Sequence, residues 1–146
     1  MNSTQLANGF YLAWARGTTL YGRWATEHNL SYTELSVLYT LVKMGPTSQK
    51  TICDCYGLPK QTVNNCIREY IKLNYVRLEA NENDKRVKKV ILTKIGENFS
   101  QILLAPLFRI EEYICRNINS DKLAQAIETR ELFNTIFEKE MEKEEQ

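Results

Sequence analysis

A single histidine, His28, stands in a chain of 146 residues, and that scarcity removes most catalytic chemistry at once. A nucleophilic triad needs an imidazole beside a serine or cysteine, and the chain has neither a Gly-x-Ser-x-Gly turn nor a Cys-His pairing. Cysteine occurs four times, but no Cys-x-x-Cys pair or second histidine completes a zinc set. Cys53-Asp54-Cys55 puts two thiols two residues apart, and on a helix such positions do not face one another. There is no glycine-rich phosphate loop. The reading is therefore not an enzyme, with no metal and no cofactor. Long apolar runs are missing too: none approaches the ~20 residues of a membrane span. The N-terminus, Met1-Asn2-Ser3-Thr4-Gln5, lacks the basic region and apolar stretch of a signal peptide. A cytoplasmic protein with reduced cysteines and no membrane partner is expected.

What is present suits one domain of ordinary size. The chain is 43% hydrophobic and 25% charged, enough to bury a core. Its formal charge of +1 hides a segregation. Residues 75–94 carry six bases (Arg77, Lys85, Arg86, Lys88, Lys89, Lys94) against three acids (Glu79, Glu82, Asp84). Residues 121–146 carry eight acids against four bases. A positive middle and a negative tail fit a protein with one nucleic-acid face.

The middle carries the pattern that matters. Ser48 to Tyr56 reads as a short helix with Ser48 as N-cap, Ile52, Cys53 and Tyr56 as buried stripe, and Gly57 as a left-handed stop. Pro59 opens a second helix, reaching Leu73. Val63, Cys66, Ile67, Tyr70 and Ile71 give it an apolar face, and Lys60, Gln61, Asn64, Asn65 and Arg68 a polar one. Asn, Gln and Arg match base edges in a major groove, whereas an ordinary solvated face would be richer in Glu and Lys. Cys53 and Cys66 are read as small hydrophobes, Cys55 as exposed. A two-stranded hairpin follows. Val76-Arg77-Leu78-Glu79 alternates as a half-buried strand and Val90-Ile91-Leu92 returns. At its polar tip Asp84 and Arg86 point the same way, so the carboxylate is expected to hold the guanidinium.

These motifs resemble the winged-helix domain of the MarR (multiple antibiotic resistance regulator) family. The matching runs are Ser48-Gln49-Lys50-Thr51-Ile52-Cys53, Gln61-Thr62-Val63-Asn64, Ile71-Lys72-Leu73-Asn74-Tyr75-Val76, Asp84-Lys85-Arg86 and Leu92-Thr93-Lys94-Ile95-Gly96. Cys53, Asn74 and Ile71 depart from the family's Ala, Gly and Leu; Asn74 can still turn the chain, since Asn tolerates left-handed backbone. Each motif alone is weak, but five in order at the right spacing are specific.

The flanks read as helices. Gln5 to Glu27 has an aromatic stripe of Phe10, Trp14, Thr18, Tyr21 and Trp24/Ala25. Phe10 and Trp14 are expected in the core, the alternative being a partner-helix contact or a pocket wall. Ser31 and Glu34 spell a capping box before a helix with Leu35, Leu38, Leu41 and Val42 inward, ending at Gly45-Pro46. Thr93 caps a helix of about 25 residues, nearly 40 Å long, which Pro106 should kink. Ser120-Asp121 starts the last helix, whose charged end from Glu138 to Glu145 is expected to fray.

The fold expected is mainly α with a small β-hairpin wing: one domain over residues 1–146, winged helix-turn-helix from about 30 to 93. Residues 1–29 and 94–146 would be dimerisation helices, since their apolar stripes exceed what one small monomer buries. Gln61, Asn64, Asn65 and Arg68 would read bases. Ser48, Gln49, Lys50, Lys60 and Thr62 would hold phosphates. Arg86 with Lys85, braced by Asp84, would probe the minor groove, and Lys88 and Lys89 would bind backbone. Two-fold symmetry implies double-stranded DNA with an inverted repeat. The resemblance further implies a repressor released by an anionic or aromatic effector, with Tyr11, Trp14 and Arg16 as lining residues. Two other readings stay open: a winged-helix protein-interaction module, and a redox-responsive regulator acting through Cys55 or Cys115.

Overall fold

The computed structural model describes residues 1–145. Among them, six helices and three short strands run in the order α1 (Ser3–Glu27), α2 (Tyr32–Met44), β1 (Thr47–Ser48), α3 (Gln49–Tyr56), α4 (Lys60–Lys72), β2 (Val76–Ala80), β3 (Lys88–Leu92), α5 (Lys94–Asn117) and α6 (Ser120–Glu144). The chain forms two compact units. One comprises residues 1–104 and the other starts at Ala105, inside α5.

The first unit holds the core. Val37 and Leu38 of α2, Ile52 of α3, Val63 and Ile67 of α4, Val76 of β2 and Val90 of β3 are at most 2% exposed. They are the inward positions of amphipathic elements, brought together because each element has one apolar face to hide. Of the Ser31–Glu34 capping box one half forms. The Ser31 side chain accepts the Glu34 N–H, and Gly45 ends α2 at φ 78°. Asn2 and Gln5 add a capping box at the start of α1. The lone histidine is a structural residue. Its ring stacks on Trp24 at 3.9 Å, and Nδ1 lies 2.8 Å from the Trp24 carbonyl.

The sheet corrects the two-stranded hairpin. It has three strands in the order β1-β3-β2, with Thr47 opposite Val90 and Ser48 opposite Lys89. A two-residue strand is too short to show alternation in sequence. Leu78 is another correction: it is 43% exposed, because the hairpin projects past the core and only Val76 of β2 is buried.

The base of the wing is closed by a few tight contacts. Asn74 adopts φ 59°, and the Thr93 hydroxyl donates to the Asn74 carbonyl at 2.6 Å. The same oxygen accepts the Gly96 N–H, capping α5 as expected. Phe99 stacks on Tyr75 with ring centroids 4.2 Å apart.

α5 runs without interruption through Pro106. In α6 the Asn119 side chain caps Asp121 and Lys122, and no residue is buried. The charged end does not fray as expected but stays helical to Glu144, where a Lys143–Glu140 ion pair spans one turn.

Candidate nucleic-acid interface

The helix pair is set by its turn. Ser48 caps α3 by accepting the Thr51 N–H, and Gly57 ends it in the left-handed region at φ 61°. Pro59, extended at ψ 138°, is the residue before α4 rather than its first. The Gln49 side chain donates to the Lys60 carbonyl at 3.3 Å, tying the start of α3 to the start of α4.

On α4 the apolar face packs inward through Val63, Ile67 and Tyr70, while Ile71 is 40% exposed. Burial pushes the Cys66 thiol up to about 12, so it stays neutral and packs as a small hydrophobe. Outward stand Lys60, Gln61, Thr62, Asn65 and Arg68, all exposed, with Asn64 half-buried beside them. The Gln61 side chain donates to Asn65 Oδ1 at 3.0 Å, so the two amides form one unit a turn before Arg68.

The wing tip is built as the Asp84–Arg86 spacing suggested. Asp84 accepts the Arg86 backbone N–H at 3.0 Å and Arg86 Nε at 3.2 Å. The guanidinium holds the Asp84 carboxyl below the usual carboxylate range. A lowered folded value means the clasp contributes fully above the ordinary carboxylate pKa and is lost as pH falls through the folded one.

The cations sort into two groups. Lys50 is paired with Asp54 at 2.6 Å, which raises its pKa, and Arg77 with Glu79 at 2.6 Å. Lys60, Arg68, Lys85, Lys88 and Lys89 have no acidic partner among the described residues. The β1–β3 pairing, which sequence reasoning missed, sets Ser48 beside Lys89 and so joins the α3 N-terminus to the wing.

A cavity of about 910 Å³ lies between α1, α2 and the α3–α4 turn. Trp14 lines it and is 52% exposed, so its assignment to the core is corrected: too little of α1 is covered there. Phe10 is half-buried. Tyr11 and Arg16 are exposed and lie outside the cavity lining; Tyr21, Tyr39 and Tyr56 are in it instead. Aromatics spaced over three helices leave no local signal that they converge. Cys55 and Cys115 are both exposed.

A polar-faced helix behind a short left-handed turn, flanked by a clasped basic wing, defines a winged helix-turn-helix. A model of the MarR family matches residues 28–87, the stretch from the end of α1 to the wing tip. The HTH-type transcriptional regulator YwoH of Bacillus subtilis is 29% identical over 102 residues, 70% of this chain and 69% of YwoH. A MarR family regulator from Neisseria meningitidis superposes with a TM-score of 0.80 at 22% identity, over 98% of this chain and 99% of that one. Staphylococcus aureus MarR, solved with salicylate and kanamycin, gives 0.66 at 22% identity, over 94% and 93% of the two chains. Among the described residues no helix is long and apolar enough to cross a membrane.

Proposed function

We propose that the protein is a cytoplasmic, homodimeric repressor that binds an inverted-repeat operator and is released by a small molecule. One observation carries the DNA reading: α4 presents the Gln61–Asn65 pair between Lys60 and Arg68, and the wing presents Lys85, Lys88 and Lys89, five exposed cations without an acidic partner among the described residues. Gln61, Asn64, Asn65 and Arg68 read bases from the major groove. Ser48, Gln49, Lys50, Lys60 and Thr62 hold phosphates, Lys50 by leaving Asp54. Arg86, fixed by Asp84 and next to Lys85, enters the minor groove, and Lys88 and Lys89 grip the backbone. The bound salicylate of the S. aureus relative supports an aromatic effector here, with Trp14 at the cavity.

Uncovered apolar surface supports the dimer. On α1, Leu6, Leu12 and Leu20 are 50–62% exposed, and on α6 Ile127, Leu132, Ile136 and Phe137 are 52–65% exposed. A 25-residue helix with no buried residue draws little stability from propensity alone; a second copy supplies the missing contacts. Sedimentation velocity at micromolar concentration should give twice the 17.0 kDa of one chain; a 17.0 kDa species at those concentrations would refute the dimer.

Mobility shifts with the DNA upstream of the protein's own coding sequence, at two salt concentrations, test the rest. The wild type should bind more weakly at higher salt. Lys88→Ala should weaken all sequences alike and flatten the salt slope by about one. An unchanged slope removes Lys88 from the interface, and no shift at either salt leaves this surface to a protein partner.

A further inference from the structure

We propose that the groove between the first turn of α2 and the flank of α4 binds a primary ammonium carried on an apolar stem, that is, an alkylamine. The site is separate from the cavity beside α1 and does not rest on the DNA reading. The groove has a volume of about 390 Å³, within the range that holds small ligands. Thr62, Cys66, Glu69, Tyr70 and Leu73 line it from α4, at the three- and four-residue steps that put side chains on one helix face. Glu34 lines it from α2.

Two groups there lack a partner. Tyr70 is 5% exposed, and its hydroxyl is closed to solvent with no hydrogen-bond partner among the described residues. A buried hydroxyl in that state destabilises the fold. Glu34 is half-buried, and its carboxylate has no cationic partner among the described residues. Glu69, by contrast, is paired with Lys72 at 3.0 Å. No lysine, arginine or histidine is among the residues lining the groove. Burial, and after it the Glu34 carboxylate, push the Cys66 thiol up to about 12. Burial also raises the Tyr70 hydroxyl, with Cys66 and Glu34 adding to it. The Tyr70 oxygen thus lies in the field of two groups that line the groove, which places it at the groove floor.

A primary ammonium has three N–H donors and one positive charge. It donates to the Glu34 carboxylate and to the Tyr70 oxygen, and answers both deficits together. The positive end of α2 offsets only about half a charge, less than Glu34 carries. An alcohol can partner the hydroxyl but leaves the carboxylate unpaired, and an anion is repelled by it. The neutral Cys66 and the 54% exposed Leu73 offer the stem an apolar wall.

1-Hexylamine and 1-hexanol share a stem and differ in ammonium against hydroxyl. The full chain is titrated with each by calorimetry at neutral pH, without DNA. One amine should bind per chain at millimolar concentration or below, about tenfold or more tighter than the alcohol. No amine binding at that concentration, or equal binding of the two, overturns the proposal. Tyr70→Phe removes only the hydroxyl. Because that oxygen has no partner, the variant should melt no lower than the wild type, while its amine binding should fall about fivefold or more. Glu34→Gln keeps the backbone N–H that donates to Ser31, and its amine binding should fall about tenfold or more. Circular dichroism verifies both folds. Amine binding that survives undiminished in either folded variant lies elsewhere and overturns the assignment. With no DNA in the titrations, a failed mobility shift and a failed amine preference are separate results.

Discussion

Gly96→Ala should be the most damaging single methyl in this chain. A Cβ at Gly96 would lie 1.9 Å from the Tyr75 carbonyl oxygen and 2.7 Å from its carbon, both backbone atoms. Neither can swing aside, because the Tyr75 carbonyl accepts the Thr93 N–H at 3.0 Å and its ring is stacked on Phe99. Helix propensity alone would favour alanine by about 1 kcal/mol. The clash reverses that sign, at a cost of about 3 kcal/mol or more, beyond ordinary overpacking. For a chain of this size the melting temperature should fall by roughly 6–12 °C. Gly9→Ala is the control: a Cβ there meets nothing within 4 Å, so the melting temperature should rise slightly. A neutral Gly96→Ala would mean that α5 and the end of α4 are not held as closely as described.

Arg68→Ala should do the opposite, leaving stability alone and damaging recognition. Arg68 is exposed, has no acidic partner among the described residues, and stands one turn beyond the Gln61–Asn65 pair. In the proposed role of bidentate reader of a guanine edge it would supply about 1–3 kcal/mol at one base position. That is about fivefold to just over a hundredfold in affinity for the preferred sequence, with preference relaxed at that position. Competition binding against single-base operator variants reads this directly. An equal loss on every sequence would make Arg68 a phosphate contact, and no loss would take it out of the interface.

Much of this was legible because the informative signals are local. Ser48, Gly57, Asn74 and Thr93 act through their own backbone neighbourhood, and Asp84 and Arg86 lie two residues apart, so spacing was enough to place them. The polar face of α4 followed from a 3.6-residue period. What depended on distant partners was missed. The Thr47–Ser48 strand is defined only by Lys89 and Val90, far along the chain. Trp14 has the periodicity of a core residue, yet the surface that would cover it is not supplied within residues 1–104. The cavity needs Tyr21, Tyr39 and Tyr56 from three helices. The charged end of α6 was read from composition, whereas its Lys143–Glu140 ion pair at one-turn spacing favours the helix that forms.

The pairing of Ser48 with Lys89 has a mechanical consequence. Backbone hydrogen bonds join the start of α3 to the wing, so the two cannot be adjusted independently. Under the DNA-binding mode proposed above, the distance between major-groove and minor-groove contacts is then fixed within one copy. Operators with altered half-site spacing would have to be met by repositioning whole copies, and a ligand that shifted one contact would release both.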